Sequence, residues 1–354
     1  MTSDTGLSKW TDQNNRIEFD LQQNMFDPER IIPLADLYIN LDAVLREDML
    51  CHYSGAVPAM YWIALCRNPD YGHIQLVDLV DRSFPLIVRA LRANVTNLTS
   101  LSLVSLGPGD GDIDIKILRH LEEGFDVPSY CCMDFSFELL RYAVARVSKA
   151  EELKNDFRIQ AIWGDFAVSN GILNREECPR LFALTGFTLG NYNEADLLGN
   201  INQLMTGHDF LLVDAHLHNL KDCSSQYPDL EQEMTQMLSG YSQEETNRFV
   251  FGPVEAITTA SSSDVIFDRK VNRDMTSVPN ALNVTISCKD LRTRMRFANG
   301  LIERDHLDLA TTTFYSYEDL RKWFPIAGFD CVWQKQEGSV ALFLLKRSVH
   351  AGNR

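Results

Sequence analysis

The chain has 354 residues, of which 33 are Lys or Arg and 49 are Asp or Glu, so its formal net charge is −16. A field of that sign repels a phosphate backbone, and we therefore expect no nucleic-acid partner. No stretch reaches the roughly 18 uninterrupted apolar residues of a membrane span, and the N-terminus lacks an apolar leader. We accordingly expect a cytoplasmic protein with no membrane partner, built as one large domain with an insertion or as two domains.

The eight cysteines show no C-x-x-C pair. Cys131 and Cys132 adjoin within an apolar run, which is typical of buried, reduced thiols. The sequence therefore favours structural cysteines over a metal or redox motif.

The N-terminal third is read as helical. Residues 1–30 are polar, and a helical periodicity follows over residues 31–95. We predict an N-terminal helical region over residues 1–95 that contributes to a substrate site.

From residue 100 onward, short apolar runs alternate with segments of helix length. These runs are residues 100–106, 129–133, 158–163, 181–185 and 209–215. Such alternation predicts an α/β fold with a parallel, doubly wound sheet, here over residues 96–218. In such sheets ligands bind at the carboxyl ends of the strands.

The first of these runs ends in a glycine-rich turn, Gly107-Pro-Gly109-Asp-Gly111. A dinucleotide fingerprint requires G-x-G-x-x-G, and here a proline interrupts the turn and the third glycine is misplaced. Asp110, Asp112 and Asp114 would also repel a diphosphate. A sulfonium cofactor that carries an ammonium group fits this turn better, and a turn that binds nothing is the alternative.

Acids follow the next two runs. Asp134 can accept hydrogen bonds from both hydroxyls of a ribose, or it can cap the following helix, a role that Ser136 could also fill. Asp165 can accept the exocyclic amine of a purine whose face Phe166 covers, although a plain turn is the other interpretation.

Beyond residue 214 the composition changes. Residues 220–250 are rich in Gln, Glu, Ser and Met and are predicted to be helical, which suggests an inserted lid over residues 219–282. Strand character resumes at 283–288, a helix starts at Ser316, and a hairpin joins residues 329–334 and 339–345. We expect residues 283–354 to complete the core.

An alternating α/β sheet closed by such a hairpin resembles the class I S-adenosylmethionine-dependent methyltransferases. The resemblance becomes more specific after the fourth run, at Gly186-Phe-Thr-Leu-Gly-Asn191-Tyr192. Together with the glycine turn, Asp134 and Gly164-Asp-Phe166, this segment is similar to the histidine Nα-methyltransferase family of ergothioneine biosynthesis. The match covers roughly residues 50–345, patchily.

The resemblance implies roles for individual residues. Gly107 and Gly109 would cradle S-adenosyl-L-methionine, Asp134 would hold its ribose, and Asp165 with Phe166 would hold its adenine. The residues implied to contact the substrate are Tyr53, Tyr71, Gly186, Asn191, Tyr227, Thr285 and Ser287, with Asn191 and Tyr71 at the reacting centre.

Two departures from the family bear on the substrate and the cofactor. Where the family has a glutamate and a serine that bind imidazole, this chain has Thr285 and Ser287, so the glutamate is missing. Losing a charge-assisted bond at a buried site costs about 1.5–3 kcal/mol, which argues against histidine as the substrate. Ile113 stands where the family commonly has a lysine, so the tail of the cofactor must be held differently.

Asp214, His216 and His218 alternate along the fifth run and would share one strand face. A metal site, a polar substrate or acid–base face, and a structural edge are the three interpretations, and the spacing alone is a weak metal signal. We predict no metal ligand here.

The sequence thus predicts a methyltransferase that acts on the amine of an amino acid or a related small metabolite. An S-adenosylmethionine-binding sensor or inactive partner subunit is the alternative. A nicotinamide-dependent oxidoreductase is disfavoured by the glycine spacing and the clustered acids.

Overall fold

The computed structural model describes residues 8–11, 17–21, 53, 56–154, 157–166, 178–218, 244–257, 261–272, 276–289, 296–297, 300–301 and 306–348. The strands in these ranges are β1 (Ser8–Thr11), β2 (Ile17–Leu21), β3 (Ser102–Leu106), β4 (Ser129–Asp134), β5 (Arg158–Trp163), β6 (Arg180–Leu184), β7 (Phe210–His216), β8 (Ile266–Asn272), β9 (Leu282–Lys289), β10 (Arg296–Phe297), β11 (Gly300–Leu301), β12 (His306–Phe314), β13 (Phe329–Glu337) and β14 (Val340–Arg347). The helices are α1 (Ala56–Cys66), α2 (His73–Asn94), α3 (Asp112–Gly124), α4 (Phe137–Lys149), α5 (Glu194–Leu204), α6 (Glu244–Ile257) and α7 (Tyr317–Trp323).

A nine-stranded sheet in the order β1-β2-β5-β4-β3-β6-β7-β14-β13 forms the centre of the molecule. Strands β2 to β7 of this sheet run parallel, and β14 lies antiparallel to both β7 and β13. The chain fills one side from β3 through β5 and then crosses to β6, so a crevice opens beside the carboxyl end of β3. The predicted doubly wound sheet with a C-terminal antiparallel hairpin is confirmed.

Helices cover both faces of this sheet because its strands are apolar on both sides. Every residue of β3, β4, β6 and β7 is buried, as expected of parallel strands between two helical layers. One apolar layer includes Leu76 of α2 and Leu118 of α3, and the other includes Leu197 of α5 and Leu320 of α7. This packing fixes the strand ends that carry the site.

A second, three-stranded antiparallel sheet in the order β12-β9-β8 lies outside the central one. The sequence predicted that the strand at 283–288 completes the core, and this is corrected: β9 pairs with β8 over Leu282–Lys289 and with β12 on its other side. The predicted boundary at residue 282 therefore falls within one sheet. The cause is the β8 strand, whose mixed polar sequence gave no apolar run.

Glu194 joins this second sheet to the core. This buried side chain at the start of α5 accepts hydrogen bonds from Thr276 Oγ1 at 2.8 Å, Ser277 N at 3.1 Å and the Tyr315 hydroxyl at 3.0 Å. A buried carboxylate is tolerated when several donors satisfy it. The network fixes the connections that enter β9 and leave β12.

The N-terminal third is only partly as predicted. Helices α1 and α2 lie in the predicted helical region, but β1 and β2 precede them and extend the central sheet, with β2 parallel to β5. Of the predicted lid, α6 is described, and residues 219–243 lie outside the described residues. No helix in the described ranges has the length and apolar character needed to cross a membrane.

Candidate functional site

The glycine turn after β3 adopts the backbone conformation that its sequence suggests. Gly107, Gly109 and Gly111 have φ values of 78°, 56° and 81°, which non-glycine residues rarely adopt. A Cβ on Gly111 would lie 3.2 Å from Cα of Ala143, so this glycine lets α3 pack closely on α4. Gly107 and Gly109 instead face a cleft.

Asp110, Asp112 and Asp114 are not all directed at the glycine turn, contrary to the expectation from the sequence. Arg146 pairs with Asp110 at 3.8 Å and also with Asp112. Asp114 turns inward, where it accepts hydrogen bonds from Ser105 Oγ at 2.9 Å and from the Tyr130 hydroxyl. Their charge is therefore largely engaged within the protein, and the repulsion of a diphosphate is weaker than the sequence suggested.

Asp134 ends β4 and lines the same cleft. Its Oδ1 accepts the N–H of Ser136 at 2.8 Å, while the Ser136 hydroxyl caps α4 by accepting the N–H of Leu139. The helix cap is thus supplied by Ser136. Burial raises the pKa of Asp134, a residue that is 7% exposed, to about 7, against the opposing hydrogen bonds from the main chain of Ser136 and Gly109.

Phe166 and Asp165 follow β5 and occupy different positions. Phe166 is buried and lines the cleft, with its ring 3.6 Å from where a Cβ on Gly107 would lie. Asp165 is also buried, but it is not among the described residues that line the cleft. Phe166 therefore lines the cleft and Asp165 does not, and the adenine role of both residues stays a prediction.

These groups enclose a cleft of about 680 Å³ that is partly open to solvent. The described residues that line it are Tyr53, Trp62, His73, Gly107, Pro108, Gly109, Ile113, Asp134, Phe135, Leu139, Phe166, Thr185, Gly186, Thr188, Asn191 and Tyr192.

The turn after β6 carries the opposite wall of the cleft. Gly186 and Phe187 have φ values of 83° and 65°, and the carboxylate of buried Asp214 accepts the N–H of Phe187 at 3.0 Å. Burial raises the pKa of Asp214 to about 8. Asp214 therefore holds a strained turn that presents Gly186 and Asn191 to the cleft.

A second cavity of about 360 Å³ adjoins the first. Tyr53 and Asn191 line both, and Asn191 Nδ2 donates to the Tyr53 hydroxyl at 3.3 Å. The remaining described lining residues are Leu65, Tyr71, Thr246, Phe249, Val250, Ile286, Ala310, Thr311 and Thr312. Two of the predicted substrate residues thus form the junction between the cavities, and Tyr71 lies in the second.

His216 and His218, two of the alternating residues along β7 and the segment after it, contact groups of the protein itself. The ring of His216 lies between those of Phe187 and Phe314, at centroid distances of 3.3 and 5.1 Å, and bonds to the main chain of Tyr71. His218 Nε2 lies 2.9 Å from the carbonyl oxygen of Asn280. Within the described ranges, no group of three His, Cys, Asp or Glu side chains is placed to hold a metal.

Thr285 and Ser287 are not among the described residues that line either cavity. Ile286, which lies between them, lines the second cavity. Thr285 Oγ1 lies 3.3 Å from Oγ1 of Thr311, which also lines the second cavity, and accepts a hydrogen bond from Asn272 Nδ2 at 3.4 Å. The role of Thr285 and Ser287 in the substrate site therefore stays a prediction, and Tyr227 lies outside the described residues.

Trp62 and His73 are among the residues of the cleft that sequence reasoning missed. Trp62 Nε1 lies 3.2 Å from where a Cβ on Gly109 would stand, so the indole covers the glycine turn. His73 begins α2 two residues after Tyr71, and only its proximity to that tyrosine could have signalled it. Ile113 also lines the cleft, so an apolar side chain occupies the position of the family lysine.

No protein-family model and no curated protein sequence matches the chain. Among solved structures it is similar to an S-adenosylmethionine-dependent methyltransferase from Clostridium acetobutylicum ATCC 824, with 12% identity, a TM-score of 0.39, and coverage of 76% of this chain and 91% of that one. It is also similar to magnesium protoporphyrin IX methyltransferase from Synechocystis PCC 6803 with bound S-adenosylhomocysteine, with 12% identity, a TM-score of 0.41, and coverage of 85% and 99%.

Proposed function

We propose that this chain is an S-adenosylmethionine-dependent methyltransferase that acts on the amine of an amino acid or a related small amine metabolite other than histidine. The observation that carries the proposal is that Asp134 lines one cleft together with Gly107, Gly109 and Phe166, while Asn191 and Tyr53 line its junction with a second cavity. The proposed partner is thus a small molecule, and the proposed location is the cytoplasm.

The first cleft suits the chemistry of the cofactor. A carboxylate at the end of β4 can accept two vicinal ribose hydroxyls, and Asp134 retains acceptor capacity beyond its bond to Ser136. Phe166 offers an apolar face for a purine. The positive φ values and absent Cβ atoms of Gly107 and Gly109 let a ligand approach the main chain.

The second cavity suits an acceptor. Asn191 donates from Nδ2 to Tyr53, which leaves Oδ1 to accept a hydrogen bond from an N–H of the substrate amine. Tyr71 packs edge-on against Trp62 and Phe187, and its main chain is bonded to buried His216, so its ring is firmly positioned. These residues would orient an amine at the junction of the two cavities.

When bound, the cofactor supplies a methyl group already activated by a sulfonium leaving group. The residues of this chain therefore need mainly to orient the amine towards the methyl group and to exclude water. Trp62 packs edge-on and Phe249 packs tilted against Tyr53, with centroid distances of 5.4 and 5.1 Å to its ring, so both add apolar surface beside the junction. Asn191 would direct the amine lone pair, and the departing proton would leave through water.

Calorimetry with S-adenosylmethionine and with NAD tests the cofactor class. We expect S-adenosylmethionine alone to bind, and binding of NAD alone would overturn the proposal. Label transfer from methyl-labelled S-adenosylmethionine to pooled amino acids and amines then separates an enzyme from a sensor, since a sensor would bind the cofactor without transferring the label.

A further inference from the structure

His73 is a buried polar side chain in the first cleft, and no described residue makes a hydrogen bond to it. The residue is 6% exposed, and both Nδ1 and Nε2 lack a hydrogen-bond partner among the described residues. Asp110 Oδ1 lies 3.9 Å from Nε2, which is beyond hydrogen-bond distance. Leaving such a group unsatisfied costs about 1–3 kcal/mol, which suggests that a ligand completes it.

The position of His73 indicates the charge of that ligand. It is the first residue of α2, a helix of 22 residues whose N-cap, Gly72, provides no side-chain hydrogen bond. The first turn of α2 contains no acidic residue. A helix N-terminus favours anions, and a ring N–H beside it adds a directional donor.

Its place in the cleft indicates which anion. His73 lines the first cleft with the glycine turn and Asp134, and it is not among the described residues of the second cavity. Ile113 provides no cation on this wall, and Arg146 is engaged by Asp110 and Asp112. Apart from its sulfonium, the proposed cofactor carries an ammonium group and one carboxylate, both on its methionyl tail.

We propose that His73 and the N-terminus of α2 bind the carboxylate of the methionyl tail of S-adenosylmethionine. The inference rests on the proposed function, because it assumes that cofactor in the first cleft. Burial lowers the pKa of the free imidazole to about 4, so His73 enters the complex as a neutral N–H donor. A group that holds a proton so weakly is better suited to this task than to removing a proton from the acceptor.

The test compares two ligands that differ only in this carboxylate, S-adenosylmethionine and decarboxylated S-adenosylmethionine, by calorimetry on the full chain. We expect the native protein to prefer the carboxylated ligand. His73→Phe, which retains an aromatic ring, should weaken the binding of S-adenosylmethionine about 10- to 100-fold relative to the native protein. Its affinity for the decarboxylated ligand should stay within about 3-fold of the native value. His73→Gln, which restores an N–H donor, should recover part of the loss.

Equal affinity of the native protein for the two ligands would overturn the inference, whether or not the variants fold. Equal weakening of both ligands by His73→Phe would also overturn it, because the side chain would then act on packing alone. Asp134→Ala serves as the matched control and should weaken both ligands alike. Failure of the native protein to bind either ligand would refute the proposed cofactor itself, which distinguishes the two proposals.

Discussion

Asn191 Nδ2 donates a hydrogen bond to the Tyr53 hydroxyl at 3.3 Å, and these two residues line both cavities of the candidate site. The pair joins the turn after β6 to the segment that precedes α1. It therefore lies where a methyl donor in one cavity and an acceptor in the other would meet.

Removing this pair should impair transfer and spare cofactor binding. We expect Asn191→Ala to lower kcat/KM about 10- to 100-fold, because a misoriented acceptor loses alignment with the methyl group. Tyr53→Phe should have a smaller effect, since Asn191 remains. Calorimetry with S-adenosylhomocysteine should give unchanged affinity for both variants, and a loss of that affinity equal to the loss of transfer would contradict this assignment.

Cofactor affinity should depend on the ionisation of Asp134. Burial raises its pKa to about 7, and the ionised carboxylate is the stronger acceptor for ribose hydroxyls. Between pH 6 and pH 8 the affinity for 5′-methylthioadenosine, which has no ionising tail, should rise about 10-fold. Asp134→Asn should bind weakly and without this dependence, whereas an unchanged slope in that variant would show that another group is responsible.

Stability should fall as the pH rises from 6.5 to 8.5. Burial raises the pKa of Asp114 and Asp134 to about 7 and that of Asp214 to about 8. In the unfolded chain these carboxyls are already ionised, so over this range the folded state holds more protons and loses stability as they leave. Each group contributes at most about 1.4 kcal/mol per pH unit.

Asp214→Asn should flatten this dependence, because the amide oxygen can still accept the Phe187 N–H and does not ionise. The exposed Asp196→Asn is the matched control and should leave the slope unchanged. Below pH 6.5 buried His73 and His216, whose pKa values burial lowers to about 4 and about 3, oppose further gain. Urea unfolding at each pH measures the effect, and a free energy of unfolding that rises steadily to pH 8.5 would refute it.

Restoring the glutamate of the resembled family at position 285 should not restore an imidazole site. Thr285 is 5% exposed, bonds to Asn272 and Thr311, and is not among the described residues that line either cavity. A buried carboxylate there should destabilise the fold by about 2 kcal/mol or more. Thr285→Gln controls for size, and a gain in histidine methylation by Thr285→Glu without loss of stability would show that residue 285 contacts the substrate.

Much of the fold could be predicted from the sequence because the central strands are continuous apolar runs. β4, β5 and β6 fall within one residue of their predicted bounds. The second sheet could not be predicted, since β8 is Ile-Phe-Asp-Arg-Lys-Val-Asn and has no apolar run. The pairing of β2 with β5 depends on contacts far apart in the chain, which local patterns do not encode.

The residues of the candidate site, like the strands, were only partly predictable from the sequence. Gly107, Asp134 and Asn191 could be found because each lies at the end of a predicted strand or in a quoted motif, and the structure brings all three to one cleft. Trp62 and His73 reach that cleft from helices whose packing on the sheet no periodicity reveals. The role of Thr285 stays a prediction, because a resemblance in sequence does not fix which face of a strand a side chain occupies.

We propose that this cleft holds the S-adenosylmethionine from which a methyl group is transferred to an amine. The most direct measurement is label transfer from methyl-labelled S-adenosylmethionine to a pool of amino acids and small amines, with the native protein and Asp134→Ala compared at a ligand concentration that saturates the native protein. We expect a labelled amine with the native protein and little or none with the Asp134→Ala variant. Equal labelling by both proteins, or cofactor binding with no labelled product from any amine, would contradict it.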